Sequence, residues 1–210
     1  MNKNKHSQTV DTNTEEKIKS AAKSVFHQKG YVGTRTRDIA EEAQMNLALL
    51  NYYFKSKEKL FQLIMVETLA EFMQNMLAVF NDEHTTLEKK IKLVAEKYID
   101  LIIAEPEIPL FLLSEIKRGA ASFLEKVKIN EVILQSVFIK QYKEGVASGK
   151  IKEPNPLHFL MNLTGMIIFP FVSSPILKKV GNLEQKGFEK LMQERKTLIP
   201  VWIKAMLKAK

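Results

Sequence analysis

Apolar residues recur along this chain with a helical period, and runs that alternate with a period of two are absent. Ile18, Ala21, Ala22, Val25 and Phe26 fall at i, i+3, i+4, i+7 and i+8, which is one stripe of a helix over 14–29. Asn13 with Glu16 is the expected cap pair at its start, and Gly30 the left-handed stop at its end. A short helix follows over 36–43, with Ile39, Ala40 and Ala43 inward. Gln44, Met45 and Asn46 connect it to a second short helix over 47–53, which Asn46 caps and Leu50 and Phe54 anchor. The pattern then lengthens. Helices are predicted over 56–80, over 85–104 with Thr85 and Glu88 as its cap pair, from Pro109 onward, over 120–148, over 156–169 and over 182–207. Pro106 and Pro109 break the chain between two of them, Ser173-Ser174-Pro175 is a loop, and Pro200 predicts a kink in the last helix. The fold class is therefore all-α, with about nine helices.

The organisation follows from helix length. Residues 1–13 are polar and predict a flexible arm; 14–55 form a three-helix domain; 56–210 form a larger helical domain. No floppy linker separates the last two, because the helix opening at residue 56 starts at once, so the two parts are expected to be mechanically coupled.

Two short helices joined by three residues cross steeply, as in a helix-turn-helix, whose second helix enters the DNA major groove. The chemistry of residues 34–60 agrees. Thr34, Arg35, Thr36 and Arg37 gather at the start of the first short helix, and Lys55 and Lys57 at the start of the helix after the motif, giving two anion sites. No acidic residue lies between Ala43 and Lys57. The helix between the two sites offers Asn46, Leu47, Ala48, Leu49, Asn51, Tyr52 and Tyr53. Asn can bond adenine, Leu and Ala can touch a thymine methyl, and tyrosine hydroxyls can reach phosphate.

The same segment resembles the signature of the TetR (tetracycline repressor) family of transcriptional regulators. The likeness lies in a threonine pair, Asp38-Ile39-Ala40, Ala43, the run Tyr52-Tyr53-Phe54, and Ser56-Lys57-Glu58-Lys59-Leu60, with Phe26, Gly30 and Tyr31 upstream. It covers residues 14–64. Carried over, it implies DNA contacts from Thr36, Arg37, Leu47, Ala48, Leu49, Asn51, Tyr53 and Lys57. Two positions depart from the pattern. Gln44 stands where the family often has Gly, so the turn must hold a side chain in a left-handed conformation at some strain. Asn51 stands where the family often has Tyr, so base preference does not transfer.

The resemblance further implies a regulatory domain with an effector cavity and a homodimer made by the last two long helices. It implies repression of a palindromic operator, relieved by a small molecule. Tyr98, Ile102, Phe138, Met161, Asn162 and Met166 are the expected pocket residues, and the apolar ones among them suggest a largely apolar effector. The helix over 156–169 is more apolar than one monomer face can bury. Phe169, Leu191, Leu198, Trp202 and Met206 are accordingly the expected dimer contacts.

Composition narrows the alternatives. The net charge of +8 favours a polyanionic partner. The absence of cysteine removes disulfides, thiolate nucleophiles and cysteine-based zinc sites, and fits a cytoplasmic location. His6, His27, His84 and His158 form no metal-ligand spacing, and no nucleophile elbow, phosphate loop or dinucleotide fingerprint occurs. No enzyme activity, cofactor, metal or membrane partner is expected. The competing reading is a helical enzyme or small-molecule carrier with a vestigial helix-turn-helix, distinguished by turnover or metabolite binding without DNA binding.

Overall fold

The structure, a computed structural model, describes residues 3–126 and 132–208. Among these there is no strand. Eleven helical segments occur: α1 (Lys3–Gly33), α2 (Thr36–Glu42), α3 (Leu47–Tyr53), α4 (Lys57–Asn81), α5 (Leu87–Ala104), α6 (Ile108–Lys126), α7 (Val132–Gln135), α8 (Val137–Ala147), α9 (Pro156–Val172), α10 (Ser174–Val180) and α11 (Gln185–Lys208). They divide into two compact units, Met1–Leu69 and Ala70–Lys210.

The first unit is built on the stripe legible in α1. Ile18, Ala21, Ala22, Val25 and Phe26 are all buried, together with Ile39 and Ala40 of α2, Leu50 of α3, and Phe54. The first turns of α4 complete this core with Leu60, Phe61 and Ile64. The Phe61 ring meets Phe26 edge-on at 5.1 Å and Tyr31 at 4.6 Å. This packing places the division between units inside α4, whereas hydrophobic periodicity alone placed it at residue 55. Lys19 of α1 donates to both carboxylate oxygens of Glu67 at 3.0 and 3.1 Å, a further tie between α1 and α4.

In the second unit α5 and α11 pack most extensively, and α9 lies against both. An aromatic column runs through the core. Phe80 stacks on Phe138 at 5.2 Å, Phe138 meets Phe159 at 5.5 Å, and Phe159 stacks on Tyr142 at 4.8 Å. The buried Tyr142 hydroxyl donates to the Glu153 carbonyl at 2.6 Å, and burial pushes its pKa up to about 12. Lys90 is fully buried because its ammonium donates to the Asp82 carbonyl and to the carbonyl and hydroxyl of Thr85, closing the turn between α4 and α5. Pro170 lies inside α9 and has no N–H to offer the Met166 carbonyl four residues back. Arg195 of α11 supplies the missing donor, its Nη2 lying 2.7 Å from that oxygen.

Several boundaries differ from those expected. α1 begins at Lys3, so Asn13 lies inside a helix and Glu16 pairs instead with Lys19 at 2.6 Å. The cap of α5 is Thr86, one residue later than expected, which frees Thr85 to hold Lys90. The helix expected over 120–148 is broken. Its first part continues α6 past Gly119, whose backbone is non-helical, and Ser136 caps a separate α8. Ser173-Ser174-Pro175 opens α10, because Pro175 suits a first helical turn. By length and composition α4 could cross a membrane, and α9 with α10 only as a pair bent by 70°. The buried Leu60, Ile64, Met65, Met73, Met76 and Phe80 make α4 a core helix.

Candidate nucleic-acid interface

The geometry of the α2–α3 pair is decided at Gln44. Ala43 ends α2 in the helical region and Gln44 follows with φ 54°. Gln44 N–H donates to Glu41 O at 3.0 Å, and Met45 N–H to Ala40 O at 2.9 Å. These two bonds are those of a Schellman cap, in which the left-handed position usually holds glycine. The sequence expectation of a left-handed side chain in the turn is met. Asn46 then starts α3, its Oδ1 accepting the Leu49 N–H at 2.7 Å. The Asn46 side-chain oxygen is thus engaged in a cap, which explains the residue without any ligand.

Seven residues give α3 only two turns, and one side of it is committed to the core through Leu50. Ala48, Asn51 and Tyr52 are exposed, and their i, i+3, i+4 spacing puts them on one face. Tyr52 is 78% exposed, so a ring of that size stands clear of the protein. Its edge meets Tyr53 at 5.3 Å. Leu47, Leu49 and Tyr53 are half-buried and flank this face.

The helix starts on either side behave differently from one another. At α2, Arg35 and Arg37 are exposed and Thr36 is half-buried. Asp38 in the first turn accepts the Arg35 N–H at 2.8 Å and pairs with Lys29 at 3.2 Å. These contacts, the backbone bond first, hold its carboxyl below the usual range. The pairing with Lys29 also offsets a negative charge that would otherwise oppose a phosphate. Thr34 is buried, and its hydroxyl donates to Gly30 O at 2.7 Å. That hydroxyl closes the end of α1 and is committed to the protein interior.

At α4, Ser56 caps the helix through its Oγ, 3.2 Å from the Lys59 N–H, and Lys55 is exposed. Lys57 turns back into the protein. Its ammonium donates to Tyr31 O and Thr34 O, each at 2.8 Å, and lies 4.4 Å over the Tyr31 ring. Expected as a phosphate ligand, it is a brace from the start of α4 to the end of α1 and the segment that follows it. Tyr31 is thereby a structural member of the motif that sequence reading undervalued; the aromatic beside Gly30 was the available signal.

In the second unit four of the six expected pocket residues gather at one core cluster and two do not. Ile102 and Phe138 are sealed in the core, with Tyr98 and Met166 packed against it. Tyr98 donates to Met73 Sδ at 3.6 Å, and burial pushes its pKa up to about 12. Met161 and Asn162 are exposed on the other side of α9, because that helix buries Phe159, Leu163 and Ile167 at a spacing of four. Of the expected dimer contacts, Phe169 is 66% exposed and Leu191, Leu198 and Trp202 about 40% each. Met206 is the exception, half-buried against the core. Among the described residues no group of three acidic or histidine side chains is placed to hold a metal ion.

Comparison with known proteins bears on the same segment. Residues 18–64 match the family model described as bacterial regulatory proteins, tetR family. Over nearly its whole length the chain is similar to the Bacillus subtilis protein named "Probable HTH-type transcriptional regulator YttP". The two are 23% identical, over 95% of this chain and 96% of that one. It is 31% identical to the negative transcriptional regulator IcaR of the Staphylococcus epidermidis biofilm operon icaADBC, over 49% of this chain and 58% of IcaR. Its fold is similar to that of the transcriptional regulator FadR of Bacillus subtilis, solved in complex with stearoyl-CoA. The TM-score is 0.58 and the identity 21%, over 88% of this chain and 96% of FadR.

Proposed function

We propose, on the premise that this chain is a transcriptional regulator of the TetR family, that it represses transcription as a homodimer bound to a palindromic operator and released by a small molecule. The observation that carries the reading is the exposed face of α3, Ala48, Asn51 and Tyr52, standing between the exposed Arg35 and Arg37 of α2 and the exposed Lys55 before α4. An acid-free helix between two cationic helix starts suits a major groove flanked by phosphates. Asn51 reads a base edge, Ala48 and Leu47 meet methyl groups, and Tyr52, Arg35, Arg37 and Lys55 hold the backbone. Thr36 and Tyr53 lie at the margins of the contact, and Leu49 supports it from the flank.

The dimer is formed by α9 and α11. Phe169, Leu191, Leu198 and Trp202 support this reading, since large apolar side chains left at 38–66% exposure are what a partner helix would cover. Two recognition helices about 34–36 Å apart would then meet successive major grooves. Repression is supported by the likeness to IcaR, a negative regulator. An apolar effector held by the second unit is supported by the apolar surroundings of Tyr98, and by the likeness in fold to FadR, which was solved with stearoyl-CoA. Such a protein works in the cytoplasm.

The test is selection of bound genomic fragments by the purified protein, followed by footprinting and titration with Asn51→Ala. A protected inverted repeat is expected, with base choice relaxed at one position of each half-site in the variant. Failure to retain any duplex at about 100 mM salt would sink the reading.

A further inference from the structure

A groove of 1220 Å³ opens in the second unit between the first turns of α5, the end of α8 with the turn after it, and the last turns of α11. Tyr98, Ile102 and Phe138 do not line it. Its apolar lining comes from the buried Ile91, Ile151 and Leu207 and from Val201, which is 63% exposed. Its rim is cationic. Six lysines line it against two glutamates, Glu88 and Glu144. Glu88 is already engaged by Lys204 at 2.9 Å, and Lys92 by Glu96 at 3.7 Å. Lys89, Lys150, Lys152 and Lys208 have no carboxylate partner among the described residues, so an excess of positive charge remains at the rim.

The walls are fixed by backbone bonds. Lys152 N–H donates to Leu207 O at 2.8 Å, and Ile151 N–H to Gly145 O at 3.0 Å. The Gln141 amide donates to Thr85 O at 2.8 Å, tying α8 to the turn before α5. The groove is therefore in place before any ligand arrives, which lowers the ordering cost of binding.

We propose that this groove binds a free, single-chain anionic amphiphile, its hydrocarbon chain on Ile91, Ile151 and Val201 and its phosphate or carboxylate head on the unpaired lysines. The two halves of the site argue for that chemistry together. A nucleic-acid backbone would match the rim but leave the apolar lining uncovered. A bilayer surface would match the charge but cannot seat its chains in a concavity. A monomeric amphiphile satisfies both, and the volume is somewhat above the usual range for small-molecule sites, roughly 300–1,000 Å³.

The experiment is calorimetric titration of the full chain, without DNA, with dodecyl phosphate below its micellar concentration. Inorganic phosphate, dodecyltrimethylammonium and anionic phospholipid vesicles serve as comparison arms. Saturable binding of dodecyl phosphate is expected, with none for inorganic phosphate or the cationic amphiphile. Two variants localise it: Lys89→Gln/Lys150→Gln/Lys152→Gln, at exposed positions that leave the melting temperature unchanged, and Val201→Asp, whose oligomeric state is measured alongside because Leu198 and Trp202 lie on the same helix. Each should weaken binding at least about tenfold. Equal binding of both amphiphiles, unchanged affinity in both variants, or binding to vesicles alone would overturn the proposal. Because no DNA is present, its failure leaves the operator-binding reading untouched, and failure of that reading leaves the groove untouched.

Discussion

Removing the Lys57 ammonium separates two roles that a lysine in a helix-turn-helix can play. Lys57 makes two charge-assisted bonds to carbonyls, at 2.8 Å each, and covers the Tyr31 ring. Such bonds are worth about 1.5–3 kcal/mol apiece when dry. Lys57 is only half-buried and water can partly replace it, so about 2 kcal/mol in total is the reasonable loss for Lys57→Met. For a chain of this size that lowers the melting temperature by about 4–8 °C. The same variant should bind DNA with an unchanged salt slope, because no phosphate contact has been removed. Lys55→Met is the control. Lys55 is exposed, so the melting temperature should hold while the slope of log K against log salt falls by about 0.9 per protomer. Calorimetry gives the first quantity, and fluorescence anisotropy with one duplex between about 50 and 200 mM salt gives the second. A Lys57→Met protein that melts like wild type and loses slope would refute the assignment of this lysine as a brace.

Gln44 holds a left-handed conformation at φ 54°, so Gln44→Gly should stabilise the first unit by about 1 kcal/mol, read as a higher denaturant midpoint at constant m-value; destabilisation would show that the Gln44 side chain makes up for the strain. Arg195→Met leaves the Met166 carbonyl without a donor and should cost about 1–3 kcal/mol, whereas in a Pro170→Ala background, where residue 170 regains an N–H, the cost should shrink; additive losses would contradict the exchange of donors. Asp38 has its folded pKa depressed by the Arg35 N–H and by Lys29, so its contribution is present above the ordinary carboxylate range and disappears as pH falls through the lowered value. The melting-temperature gap between wild type and Asp38→Asn should accordingly be widest near neutrality and close at low pH, and a gap independent of pH would discard the ionic contribution.

Much of the first unit could be read without coordinates because its determinants are short-range. The stripe of α1, the Asn46 cap and the left-handed Gln44 depend on residues within a few positions of one another, where helical geometry alone dictates who meets whom. Composition and spacing likewise placed cationic helix starts on both sides of an acid-free helix. What only the tertiary structure decided is which way long or ambivalent side chains turn. Lys57 finds its acceptors 26 and 23 residues away, and Thr34 is sealed by the end of α1. Met161 and Asn162 face outward because the aromatic column claims the opposite side of α9. Arg195 answers the Met166 carbonyl, 29 residues before it, which Pro170 leaves without a donor. Local energetics set the helices, but a side chain with several possible partners is assigned only when packing brings one of them within reach.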